Sequence, residues 1–120
     1  MKYKVMIVED QTMPRELFEL RVQASERFEL ALSIDNAALA DVYCLRFPVD
    51  LILMDVITRD GENGLDAAAR IKRAFPQIKI IIVTSMPECS YLKRAKEIGV
   101  ESFWYKDCLL YTSPSPRDTR

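Results

Sequence analysis

DLILMDVITRDGENGL, residues 50–65, holds a short apolar run, Leu51 to Met54, closed by a lone acid, Asp55. A polar, glycine-containing loop follows, and Asn63-Gly64-Leu65-Asp66 then opens a helical pattern. Physically this is a buried strand that carries a carboxylate to the edge of a sheet and turns. Taken alone, such an acid is more often a helix cap or a surface loop charge. The rest of the chain changes that balance.

Upstream, Lys4 to Val8 (KVMIV) is continuously apolar, the mark of a strand buried on both faces. It ends in Glu9-Asp10. Pro14 suits a first helical turn, and Leu17, Leu20 and Ala24 form the expected inner stripe. Phe28 to Ile34 reads as a second strand. Asp35-Asn36 punctuates, and Ala38, Val42 and Leu45 give a second helical stripe ending near Pro48. Downstream, Asn63 caps a third helix facing inward through Leu65, Ala68, Ile71 or Lys72, and Phe75, and Pro76 stops it. Lys79 to Val83 (KIIIV) is another two-sided strand, followed by Thr84. Ser85-Met86-Pro87-Glu88 fits a capping box for a helix that runs to Ile98 and stops at Gly99. Ser102 to Tyr105 is a fifth strand, ending at Lys106.

Strands alternating with helices predict one parallel α/β sheet with right-handed crossovers. Sites in such sheets lie beyond the C-terminal strand edges. Glu9, Asp10, Asp55, Thr84 and Lys106 all fall there. Three clustered carboxylates repel, and a divalent cation relieves the repulsion. All-oxygen ligands favour Mg²⁺, commonly held with phosphate oxygens. A lysine and a hydroxyl beside them fit phosphoryl transfer, with an ionised Asp available as nucleophile.

Composition narrows the field. At 120 residues, 49% apolar and net charge −1, the chain is one domain with nothing that advertises nucleic-acid or membrane binding. The absence of histidine removes Ser-His-Asp triads, His-metal centres and phosphohistidine carriage. Cys44, Cys89 and Cys108 are scattered, which fits a reducing cytoplasm. A haloacid-dehalogenase-type phosphatase wants a second Asp two residues after the nucleophile, where this chain has Ile57. No P-loop or GxGxxG occurs, and EDQTMP is not a flavodoxin-type phosphate loop.

VED at strand one, LILMD at strand three, NGLDAAARI opening helix three, VTS at strand four and FWYKD at strand five together resemble the receiver domain of two-component response regulators. The resemblance covers Met1 to about Asp107, and Lys106-Asp107 resembles the NarL-type subgroup with LuxR-type output modules. It implies a flavodoxin-like, doubly wound five-stranded sheet of order 2-1-3-4-5. It implies Asp55 as phospho-acceptor, Glu9 and Asp10 as the acid pair around Mg²⁺, and the Ile57 carbonyl as a backbone ligand. Thr84 would follow the phosphoryl group, Lys106 would bind it, and Phe103 would be the switch aromatic.

The implied partner is a sensor histidine kinase, with a homodimer on phosphorylation and DNA reached only through an output module outside these residues. A single-domain phosphorelay carrier and a phosphorylation-independent pseudo-receiver are the alternatives. Neither a membrane role nor enzymatic action on an external substrate is expected, beyond self-catalysed transfer to Asp55. The closing stretch 108–120, CLLYTSPSPRDTR, carries no helical stripe and matches the translation of a sequencing-library transposon end and adapter. It is expected to be foreign to the domain, which would then lack its fifth helix.

Overall fold

The computed structural model describes residues 2–56, 63–85 and 89–105, Tyr105 by its backbone alone. The chain runs β1 (Tyr3–Val8), α1 (Thr12–Gln23), β2 (Phe28–Ile34), a 3₁₀ turn (Ala37–Leu39), α2 (Ala40–Arg46), β3 (Leu51–Asp55), α3 (Gly64–Ala74), β4 (Lys79–Thr84), α4 (Cys89–Ile98) and β5 (Ser102–Tyr105). All strand pairs are parallel, in the order β2-β1-β3-β4-β5. The expected doubly wound sheet is therefore present. The capping box over 86–88, Ile57, Lys106 and the stretch 108–120 lie outside the described residues.

The two-sided strands split their side chains by the period of two. Met6, Val8, Ile52, Met54, Ile80 and Ile82 join a core with α2, α3 and α4. Val5, Ile7, Leu53 and Val83 face the other way and pack with Phe18 and Val22 of α1. Among the described residues α1 is the only helix on that face. Beside it lies an open apolar groove of about 370 Å³, floored by Leu51, Leu53 and Ile81 and flanked by Trp104.

Local signals explain the start of α3 and the end of α4. Asn63 Oδ1 accepts from the amides of Leu65 (2.7 Å) and Asp66 (3.4 Å), the cap its sequence position predicts. Gly99, with φ of 91°, ends α4 in a conformation that costs glycine little. Two helical stripes differ from expectation. In α1 the buried residues are Pro14, Phe18 and Val22, and Leu20 is 64% exposed. The i, i+4 row carrying the bulky Phe18 takes the core, and Ala24 falls past the last turn. In α2, Cys44 with Ala37 and Ala40 faces inward, whereas Val42 and Leu45 are exposed. The 3₁₀ turn advances the chain by more per residue than an α-helix and rotates the small side chains onto the sheet.

At the N-terminal edge of β4, Glu101 forms a clasp. Its Oε1 accepts from the Ile80 amide at 2.7 Å, and its Oε2 accepts from Lys72 Nζ at 3.0 Å. Lys72 also donates to the carbonyls of Ile78 (3.0 Å) and Pro76 (3.3 Å). Burial opposes the charge on Glu101, but the Ile80 amide, the Lys72 ammonium and the more distant Lys79 outweigh it and hold the carboxyl below its usual value. A folded-state pKa below the unfolded one means stability present above the unfolded value, about 4.3, and lost as pH falls through the folded one. Urea melts from pH 6 to 3 should show this loss, and Glu101→Gln should flatten that part of the profile. Identical slopes for both proteins would rule the clasp out as its source.

Candidate functional site

Strand register builds the site. Val8 pairs with Met54, so Glu9 follows β1 at the level where Asp55 ends β3. Asp55 pairs with Val83, which places Thr84 one residue further along β4, opposite Tyr105. Glu9, Asp55 and Thr84 are all buried, at 1%, 6% and 2% exposure, and Asp10 is half-buried. One carboxylate oxygen each from Glu9, Asp10 and Asp55 lie within 4.8 Å of one another. The structure thus brings together the three acids singled out from the sequence and sets Thr84 on the neighbouring strand end.

Phe103 pairs with Ile82 in register and is half-buried against the larger core. Lys106 follows β5 in sequence but lies outside the described residues, as does Ile57.

The loop after β1 is held by its own bonds. The Glu9 amide extends the ladder to the Ile34 carbonyl at 2.9 Å. The Gln11 amide donates to Glu9 Oε2 at 3.1 Å, and Arg15 Nη1 donates to the Glu9 carbonyl at 3.0 Å. Under β3, the Gly64 amide donates to the Val56 carbonyl, drawing the start of α3 against the strand end. Sequence reading missed Arg15 and the close approach at Gly64. Arg15 stands one turn into the helix after the acid pair. Gly64 is one of only three glycines in the chain, placed at a helix start.

Three carboxylates with no nitrogen or sulfur donor among them form a hard, oxygen-only set, and this donor chemistry fits Mg²⁺. The described thiols take no part. Cys44 is buried, and burial, helped by the Asp41 charge, pushes its pKa up to about 11. Cys89 is exposed. Since the thiolate is the reactive form, a brief alkylation pulse at pH 8 should label Cys89 in the folded protein and spare Cys44 until denaturant is added. Peptide mapping would read this, and equal labelling in the native state would contradict the burial.

Comparison with known proteins agrees with this geometry. The chain is 32% identical over 106 residues to the response regulator protein VraR of Staphylococcus epidermidis, covering 88% of this chain and 50% of that protein. It is 30% identical over 99 residues to the Fimbriae Z protein of Escherichia coli K12, covering 82% and 47%. The chain therefore spans about half the length of the curated relatives it matches. A DNA-binding response regulator of the LuxR family from Staphylococcus aureus superposes with a TM-score of 0.80 at 26% identity, over 88% of this chain and 87% of that one. A CheY-like receiver from Methanospirillum hungatei, at 18% identity and TM-score 0.79 over 92% and 89%, shares the fold. The family profile described as the response regulator receiver domain matches residues 5–110. By that match, and by its kinship to LuxR-type regulators, the chain belongs to the response regulator receiver domain family.

Proposed function

We propose that this receiver is switched by phosphorylation of Asp55. The observation that carries the reading is a buried carboxylate at the end of the central strand with oxygens of Glu9 and Asp10 within 4.8 Å. One Asp55 oxygen attacks the phosphorus of the donor in line. The donor's P–N or P–O bond breaks, and its electron pair leaves on imidazole or carboxylate, the imidazole taking a proton from water. Glu9, Asp10 and Asp55, with the Ile57 carbonyl, would hold Mg²⁺, which when bound would offset the negative charge of the phosphoryl oxygens. Lys106 pairs with one of those oxygens and Thr84 donates to another.

The switch follows from charge. Phosphorylation adds close to two negative charges and strong acceptor oxygens. Drawing the Thr84 hydroxyl toward them moves the loop before α4 and opens room for the Phe103 ring to turn inward.

The donor partner in this reading is a sensor histidine kinase, and the setting is cytoplasmic, where Cys44 and Cys89 stay reduced. No helix among the described residues is long and apolar enough to cross a membrane. Likeness to a DNA-binding response regulator of the LuxR family supports a parent protein that binds DNA through an output module, and the reading extends to a homodimer on phosphorylation. The domain proper would comprise residues 1–107, with 108–120 foreign to it. The test is phosphoryl uptake from acetyl phosphate, with and without Mg²⁺, in wild type and Asp55→Asn. Equal labelling of the two overturns the assignment.

A further inference from the structure

We propose that Arg15 is the positioning residue for the metal-binding acid pair, a role that rests on the reading of Glu9 and Asp10 given above. The Glu9 carbonyl is the first acceptor beyond the end of β1. Its own amide still reaches β2, at the Ile34 carbonyl, whereas the carbonyl is taken by Arg15 Nη1 at 3.0 Å. That carbonyl belongs to the peptide unit joining Glu9 to Asp10. The unit is planar and rigid, so fixing its oxygen fixes the direction in which the chain leaves Glu9 and enters Asp10. Both carboxylates hang from this one plane.

The guanidinium is itself held. Arg15 lies in the first turn of α1, where its amide donates to the Gln11 carbonyl at 3.1 Å. Its Nε lies 3.9 Å from Glu19 Oε2, one turn further along the helix. The side chain is 25% exposed, covered enough to keep one geometry. A planar fork with two fixed partners positions a carbonyl better than a flexible ammonium would.

Groups that orient metal ligands from behind typically change affinity by about ten- to a hundredfold when removed. Arg15 acts on the backbone between two ligands, so the low end is expected. Mg²⁺ is titrated calorimetrically into the 120-residue chain, at a temperature where melts in EDTA show every variant folded. Arg15→Met should weaken binding about tenfold, and Arg15→Lys should recover part of the loss. Glu19→Ala, which leaves Arg15 in place but unclamped, should cost a smaller factor, about threefold.

A purely structural role would lower the EDTA melting temperature and leave the affinity of folded protein unchanged. Wild-type affinity in Arg15→Met therefore overturns the proposal alone. Should Arg15→Met fail to fold, unchanged affinity in Glu19→Ala overturns it. Absence of Mg²⁺ binding by the wild-type chain overturns it together with the reading on which it rests.

Discussion

Acetyl phosphate and Mg²⁺ together should load one phosphoryl group onto the chain, and Asp55→Asn should abolish the uptake. Asn keeps the size and shape of the side chain but has no anionic oxygen to attack phosphorus, so the fold should survive and the chemistry should not. The cation requirement follows from magnitudes. Carboxylate oxygens within 4.8 Å of one another repel by roughly 3 kcal/mol per pair at an effective dielectric of 20. An incoming phosphoryl group, itself anionic, meets all three charges unless a cation offsets them. EDTA should therefore suppress labelling almost completely. Asp10→Ala should slow it by about a hundredfold, the scale on which lost electrostatic stabilisation appears in phosphoryl and acyl transfer. Intact mass reads the uptake, and hydroxylamine, which cleaves acyl phosphates but not phosphate esters, identifies the linkage. Mass gain in Asp55→Asn, or a hydroxylamine-stable product in wild type, would remove Asp55 from the role.

Strands and strand-edge acids were legible because their signals are local. KVMIV, LILMD and KIIIV are short apolar runs with a polar terminator, and a central parallel strand has no other way to look. Asn63 and Gly99 announced their caps in the same way, through backbone chemistry within a few residues. The faces of α1 and α2 were not legible. Both helices carry two competing apolar rows, and tertiary packing chooses between them. Phe18 and Val22 outcompete Leu17 and Leu20 in α1. In α2 the small Ala40 and Cys44 lie inward, against the sheet, and leave the larger Val42 and Leu45 in water. Arg15 and Gly64 were invisible for a related reason. Their partners are the backbone carbonyl of Glu9 and the backbone around Asp55, and a backbone atom leaves no mark in a sequence.

Gly64→Ala should be among the most damaging single-methyl additions available in this chain, against the usual trend. In most helices replacing glycine by alanine stabilises, by about 1 kcal/mol. Here Gly64 is the first residue of α3, and its α-carbon faces the end of β3. A Cβ built there collides with the Asp55 carbonyl oxygen and lies 2.9 Å from the Asp55 carbonyl carbon and 3.0 Å from Met54 Cγ. None of these can yield. Met54 is fully buried, Asp55 is 6% exposed, and β3 is pinned between β1 and β4. The helix must move instead. That withdraws the Asn63 cap from the Leu65 and Asp66 amides, worth about 1 kcal/mol, and lifts Leu65 and Ala68 off the core. Overpacking of this kind adds about 1–3 kcal/mol. The sum, roughly 3 kcal/mol, corresponds to a fall in melting temperature of about 10 °C for a domain of this size. Gly99→Ala supplies the internal contrast. Its φ of 91° disfavours a side chain, but an added Cβ meets nothing within 4 Å, so the cost is backbone strain alone, about 1–2 kcal/mol. The displaced helix start also withdraws the Gly64 amide from the carbonyl of Val56, the residue after Asp55, so Mg²⁺ affinity should fall in Gly64→Ala and hold in Gly99→Ala. Melting and Mg²⁺ titration of the two variants side by side decide the matter. A Gly64→Ala protein that melts as high as wild type, or higher, would mean that α3 and β3 are not packed as tightly as this arrangement requires.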